Sequence, residues 1–320
     1  MIYKLSENRA FRSYIGGSRI DKLRGKPECK SGNFPEDWTA STVRAFNPGR
    51  EEIVEGYGKT VDGVFIKDIV KEDMPILVKL LDSDERLVIQ AHPTREFAKA
   101  NMNSNVGKAE CWYFIDTDET AHVYAGFREG ITREKWIDLF EKQDVDGMLG
   151  CLHRFNVKKG DCIFIPGGLP HAIGGGCLMV ELQEPSDLMV IPERKTPSGR
   201  VLADAKLHGG LGFEKMFDVF DYTGYSEESI RKKLMPEKRI ISKNITEIVG
   251  ASMTDIFTMI EITGSTRYEM TSKYAVIIVT DGSVLINGTH FAKGDCILCV
   301  NEKSLDVTGE KFTLAISMEL

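Results

Sequence analysis

Two histidines, a glutamate and a glutamine lie inside or at the ends of apolar runs in this chain. Gln90 and His92 fall in RLVIQAHPTREF, Glu110 in KAECWYFI, and His171 in KGDCIFIPGGLPHAI. On an extended strand, residues two apart face the same side. Gln90 and His92 therefore share a face, as do Lys108 and Glu110. An apolar strand does not place such groups side by side on a buried face without partners, and an ionised glutamate there needs a cation. Two imidazoles, one carboxylate and one amide oxygen make a shell of N and O donors for one divalent cation per chain, with a position left for water or substrate. The absence of cysteine from the set suits zinc, manganese or iron on ligand type alone.

A scaffold must bring these residues together, and the chain writes part of it twice. KGDCIFIP starts at Lys159 and KGDCILCV at Lys293, each preceded by a comparable β-type run, AHVYAGF and SVLINGTHF. Twelve residues after the lysine the first copy has His171 and the second Leu305. The scaffold does not require the histidine, which makes His171 a candidate for chemistry. The short runs ILVKLL, RLVIQA, ECWYFI, CIFIP and LMVELQ come first, and IFTMIEI, YAVIIVT, CILCV and FTLAISM later. The dipeptides Asp281-Gly282 and Asn287-Gly288 read as turns between late strands. Many short strands with turn punctuation predict a mainly all-β protein of two tandem jelly-roll barrels. A helical insertion is expected at about 130–152, with Trp136, Leu139 and Phe140 on its apolar side. A second helix is expected at 225–234, with Ser226 as N-cap. The expected organisation is an N-terminal elaboration plus metal-binding barrel over 1–215, a helical linker over 216–235, and a β domain over 236–320 with no comparable donor set.

Bulk properties narrow the partners. The net charge is −7, with no basic stripe, so nucleic acid is not an expected partner. No apolar run approaches the ~20 residues needed to span a bilayer, and the N-terminus lacks the apolar core of a secretory signal, so a cytoplasmic location is expected. Seven scattered cysteines form no disulfide framework. Cys296 and Cys299, three apart on a strand, would point to opposite faces.

Gly160, Pro166, Gly168 and His171 follow the spacing G-x5-P-x-G-x2-H, which resembles the second cupin motif. QAHP, GKAECWY, GDCIFIPGGLPHAI and VELQEPSD together resemble the type I mannose-6-phosphate isomerases in their short bacterial form. RSYIGGSRIDKL, PEDWTASTVRAFNPG and PILVKLLDSDERLVIQAHP agree with that family's opening segments. The resemblance is close over about residues 10–190. It implies a zinc-dependent aldose–ketose isomerase acting on a small sugar phosphate, with Gln90, His92, Glu110 and His171 as metal ligands. It also implies polar partners beside the metal at Lys108 and Glu181, and a lysine near the phosphate end at Lys79.

Two positions depart from the family pattern. Val88 stands where the family has a serine associated with phosphate. Ile191 aligns with the family's catalytic arginine, and Arg194 lies three residues further on, followed by Arg200; a local shift would bring Arg194 into the site. The chemistry implied is proton transfer between C1 and C2 through a cis-enediol, with Glu181 and Lys108 as candidate acid and base and a cation stabilising the developing charge. A paralogue acting on another sugar, an iron-dependent dioxygenase and a non-catalytic sugar-phosphate-binding module are the alternatives.

Overall fold

The computed structural model describes all 320 residues. As expected, strand outweighs helix, and every paired strand is antiparallel to its neighbour. A six-stranded sheet runs in the order Arg9–Ala10, Glu36–Thr39, Leu77–Ser83, Cys177–Gln183, Glu110–Thr117, Cys162–Ile165. A three-stranded sheet is built from Leu152–Asn156, His122–Phe127 and His171–Ile173.

The six-stranded sheet is covered on both faces, which explains why its strands read as near-continuous apolar runs. On one face, Leu81, Trp112, Phe114, Ile163 and Met179 pack against Val123, Ala125 and Phe155 of the small sheet. On the other, Val78, Leu80, Cys111 and Val180 join a core with Phe257, Met259, Val276 and Leu298 of the C-terminal sheet. The side-chain period of two carries the site. Two residues along from Leu81, Trp112 and Met179 on the first face, the strands present Lys79, Glu110 and Glu181 to the interior between the sheets.

The helices Arg133–Lys142 and Val145–Gly150 occupy the expected insertion, and the helix Glu227–Leu234 is capped by Ser226, whose side chain accepts from Ser229 N–H. Other parts of the chain fold differently from the expectation. Residues 86–92 form no ladder, because their backbone groups bond to scattered partners: Leu87 to Ile173, Ile89 to the Glu193 carboxylate, and Gln90 to His171. Asp281-Gly282 is no turn; it lies inside one long strand, Tyr274–Ile286, at a register shift. A Cβ on Gly282, at φ 70°, would sit 2.0 Å from Lys311 O, so glycine permits the close approach of the neighbouring strand. Asn287-Gly288, both at positive φ, makes the two-residue hairpin as expected. The first strand, Ile2–Lys4, pairs with Cys296–Val300 and so belongs to the C-terminal sheet, not to an N-terminal elaboration of the first barrel. Cys296 and Cys299 enter different cores, and all seven cysteines are free thiols.

Candidate metal centre and cavity

His171 opens the strand His171–Ile173 of the small sheet, where the turn at Gly168, φ 85°, redirects the chain into the interior. Its backbone exchanges two hydrogen bonds of 2.9 Å with that of Gln90, and this bridge draws the 86–92 segment alongside. His92 and Glu110 complete a cluster whose ligand atoms all lie within 4.8 Å of one another, each residue fully buried.

The hydrogen bonds around this cluster fix its chemistry. His171 Nδ1–H donates to Leu169 O and His92 Nδ1–H to Leu188 O, both at 2.9 Å. Burial first of all pushes both imidazoles down, His92 to about 3, so both are neutral near pH 7. With Nδ1 protonated, Nε2 of each ring carries a lone pair; that of His92 meets Lys108 Nζ at 3.0 Å, and that of His171 has no partner. These lone pairs point at a carboxylate: His92 Nε2 is 3.2 Å from Glu110 Oε2, and His171 Nε2 is 3.3 Å from Glu110 Oε1. Trp112 Nε1–H steadies Oε1 at 3.1 Å, while His171 Nε2 and Glu110 Oε2 have no hydrogen-bond partner. Lone pairs converging on a carboxylate repel each other in a dry interior unless a cation stands among them, and the Lys108 ammonium reaches His92 and Glu110 but leaves His171 Nε2 unmet. Backbone carbonyls that fix the imidazole tautomers are the usual supports of metal-ligating histidines. The residues present therefore fit a divalent cation.

Burial works to raise the Glu110 carboxyl, but it is held well below the usual range, with the Lys108 ammonium first among the groups that lower it. Lys108 Nζ lies 3.0 Å from His92 Nε2 and 3.4 Å from Glu110 Oε2. Glu184 holds this strand in place, accepting from Gly107 N–H and Ala109 N–H at 3.3 and 2.9 Å on either side of Lys108.

Gln90, Lys108 and Glu181 line a cavity of about 220 Å³ that opens beside the cluster. Lys79 is there too, but its charge is taken up. Its Nζ lies 2.8 Å from Glu181 Oε1 and 3.7 Å from Glu36 Oε2. The anion that a buried lysine requires at this position is thus protein carboxylate. Burial pushes the Glu181 carboxyl up, with Lys79 opposing and the charge of Glu110 adding to it. Arg12 is similarly neutralised by Glu36 at 2.9 Å and Asp187 at 3.2 Å.

Arg194 is not brought to the cavity. Residues 192–203 fold back on themselves through a Lys195–Val201 bridge and a Thr196 N–H to Arg200 O bond of 2.9 Å. That turn sends Arg194 outward, 4.8 Å from the centre of the Phe213 ring and 4.9 Å from that of Phe140, with Asp204 at 3.2 Å. Arg200 and Lys206 line the cavity instead, and Val88 and Ile191 form part of its apolar wall. Lys206 was not singled out in the sequence, because nothing in ADAKLHGG marks it as a half-buried residue of a cavity wall. Burial lowers it to about 8, with Asp187 opposing and Arg12 adding.

The chain is 30% identical over 228 residues to mannose-6-phosphate isomerase ManA of Bacillus subtilis, covering 70% of this chain and 68% of that protein. The chain belongs to the mannose-6-phosphate isomerase family. The mannose-6-phosphate isomerase of Streptococcus mutans is 29% identical over 236 residues, 71% of this chain and 68% of its own length. No family model matches the chain. Among solved structures, the Bacillus subtilis mannose 6-phosphate isomerase superposes with a TM-score of 0.75 at 21% identity, covering 99% of both chains. The phosphomannose isomerase of Salmonella typhimurium gives 0.73 at 12% identity, again over 99% of both. At these identities the family's fold is common to all three while most side chains have changed.

Proposed function

We propose that this protein is an aldose–ketose isomerase interconverting mannose 6-phosphate and fructose 6-phosphate, with one zinc ion held by His92, Glu110, His171 and the side-chain oxygen of Gln90. The observation that carries the reading is the convergence of two imidazole Nε2 atoms on Glu110, with His171 Nε2 and Glu110 Oε2 left without a partner, at the edge of a cavity that also holds acid–base groups. When bound, the ion supplies electrostatic stabilisation of the negative charge that develops on the sugar oxygens.

The chain's own groups do the rest. Glu181 lines the cavity with its carboxyl raised by burial, which makes it a stronger proton acceptor than an ordinary carboxylate. It takes the proton from one sugar carbon and returns it to the adjacent one. Lys79, at 2.8 Å, fixes its orientation. Lys108, also on the lining, donates towards the sugar oxygens where charge accumulates. The apolar wall of Val88, Ile191 and Leu202 limits water. The phosphate lies towards Arg200 and Lys206, the lining cations with no carboxylate partner.

A coupled isomerase assay across phosphorylated and free hexoses, run with chelator and after adding back zinc, tests the proposal. Zinc-restored turnover of mannose 6-phosphate is expected. Turnover of another aldose alone would displace the substrate, and no turnover of any would displace the reaction.

A further inference from the structure

The mouth of the cavity holds an arrangement that the metal cluster does not explain. Phe11 lies on the lining, and two guanidinium groups sit on its ring: Arg50 at 4.2 Å from the centroid and Arg200 at 5.1 Å. Each contact is favourable in itself, since a guanidinium stacks well on an aromatic face. Two like charges on one ring nevertheless oppose each other. Arg200 has no carboxylate partner to offset that, and Arg50 has one, Glu55, at 2.9 Å.

Glu55 does not satisfy Arg50 fully. Glu55 engages only Nη2, and Arg50 Nε is buried with no partner at all. Buried guanidinium nitrogens are normally satisfied. Glu55 also accepts from Asn47 Nδ2 at 3.2 Å and from Phe11 N–H at 3.3 Å, so one carboxylate ties the arginine, its loop and the aromatic ring together. The loop is latched a second time at Phe46, whose N–H donates to Asp187 at 2.8 Å and whose carbonyl accepts from Lys206 at 3.0 Å. Further in, the cations are spoken for: Lys79 by Glu181 and Arg12 by Glu36 and Asp187. Free donors are concentrated at Arg50 and Arg200, while Val88, also on the lining, offers none.

We propose that Phe11 holds Arg50 and Arg200 as a two-arginine clamp on the anionic end of the substrate, and that Arg50 is the residue by which this chain selects a phosphorylated sugar. The Nη–H groups of Arg50 that Glu55 does not take, together with those of Arg200, would donate to phosphate oxygens, in the way guanidinium groups bind phosphate. Phe11 is a positioning residue, acting through the two arginines. The identity of the anion as a sugar phosphate rests on the isomerase reading; the clamp itself does not.

Binding and turnover are to be measured separately. Inorganic phosphate, titrated calorimetrically into the metal-loaded protein, reads the clamp without chemistry. Arg50→Gln should weaken phosphate binding roughly 10- to 100-fold, the loss of one charged contact, and should raise KM for the phosphorylated sugar to match. Arg50→Lys should recover part of the loss, because the charge returns without the fork. Phe11→Leu should raise KM several-fold with a much smaller effect on kcat, and Phe11→Tyr should restore it. Near-ultraviolet circular dichroism and the melting temperature show that each variant is folded; if Arg50→Gln is not, Arg50→Lys and Phe11→Leu carry the test. Phosphate binding unchanged in these variants overturns the clamp even if isomerase activity is present. Phosphate binding lost in Arg50→Gln, with no isomerisation by the unaltered protein, leaves the clamp standing and overturns the reaction.

Discussion

Replacing His171 with leucine separates scaffold from ligand, because the second copy of the scaffold already has leucine there. Leu305 is fully buried in the C-terminal core, in the strand Ser304–Thr308. Without metal, the substitution removes the unpartnered Nε2 that faces Glu110, a group whose burial costs about 1–3 kcal/mol. It also removes the Nδ1–H bond to Leu169 O, worth about 1 kcal/mol. These effects oppose each other, so the metal-free variant should melt within a few degrees of the metal-free parent, or above it. With metal the balance changes. At a free zinc concentration about 1,000 times its dissociation constant, the parent gains about 4 kcal/mol of stability. Loss of a partner outside the ligand shell already weakens metal affinity by about 10- to 100-fold. A hundredfold loss on removing a ligand would leave the variant about 1.4 kcal/mol at the same zinc, a deficit of nearly 3 kcal/mol. The assay is a pair of thermal melts for each protein, one in chelator and one in buffered zinc, with bound metal counted by elemental analysis. A His171→Leu protein that binds one zinc and shows the parent's zinc-dependent rise in melting temperature would refute the ligand assignment.

Glu181→Gln should lower kcat by roughly 10²–10⁴, the usual contribution of a positioned acid–base group, with bound metal unchanged by elemental analysis. Arg194→Ala should alter kcat/KM by no more than about twofold, since its guanidinium lies on Phe140 and Phe213 away from the cavity. Lys206 is lowered by burial to about 8, so its cation is present below that pH and lost above it. KM for the phosphorylated sugar should therefore rise as pH increases through about 8, and Lys206→Met should have a high KM with that rise absent.

Much of the site was legible because its residues break local rules. An amide, an imidazole and a carboxylate within apolar runs demand partners, and a histidine present in one scaffold copy and absent from the other has no scaffold role. His92, Glu110 and His171 were accessible to that reasoning. Lys79 was legible as a buried cation, but the sequence could not say which anion meets it. That depends on the register that sets Glu181 opposite Lys79 across two antiparallel strands. Arg194 misled because alignment counts residues along the chain, whereas a bridge between Lys195 and Val201 turns the five residues between them back and delivers Arg200. Asp281-Gly282 misled for a related reason: positive φ serves a bulge as well as a turn, and the choice is made by the neighbouring strand at Lys311. Arg50 and Phe11 were invisible, since a stack of two arginines on one ring joins segments far apart in the chain.

The central claim is that a metal-dependent site in this chain moves a proton between adjacent carbons of mannose 6-phosphate. Proton magnetic resonance of mannose 6-phosphate in heavy water measures that step directly. The zinc-loaded protein should remove the C2 proton signal of mannose 6-phosphate as fructose 6-phosphate appears, with the proton or solvent deuterium arriving at C1, and chelation should stop both until zinc is restored. Persistence of the C2 proton signal at full zinc occupancy, with no fructose 6-phosphate formed, would contradict the account.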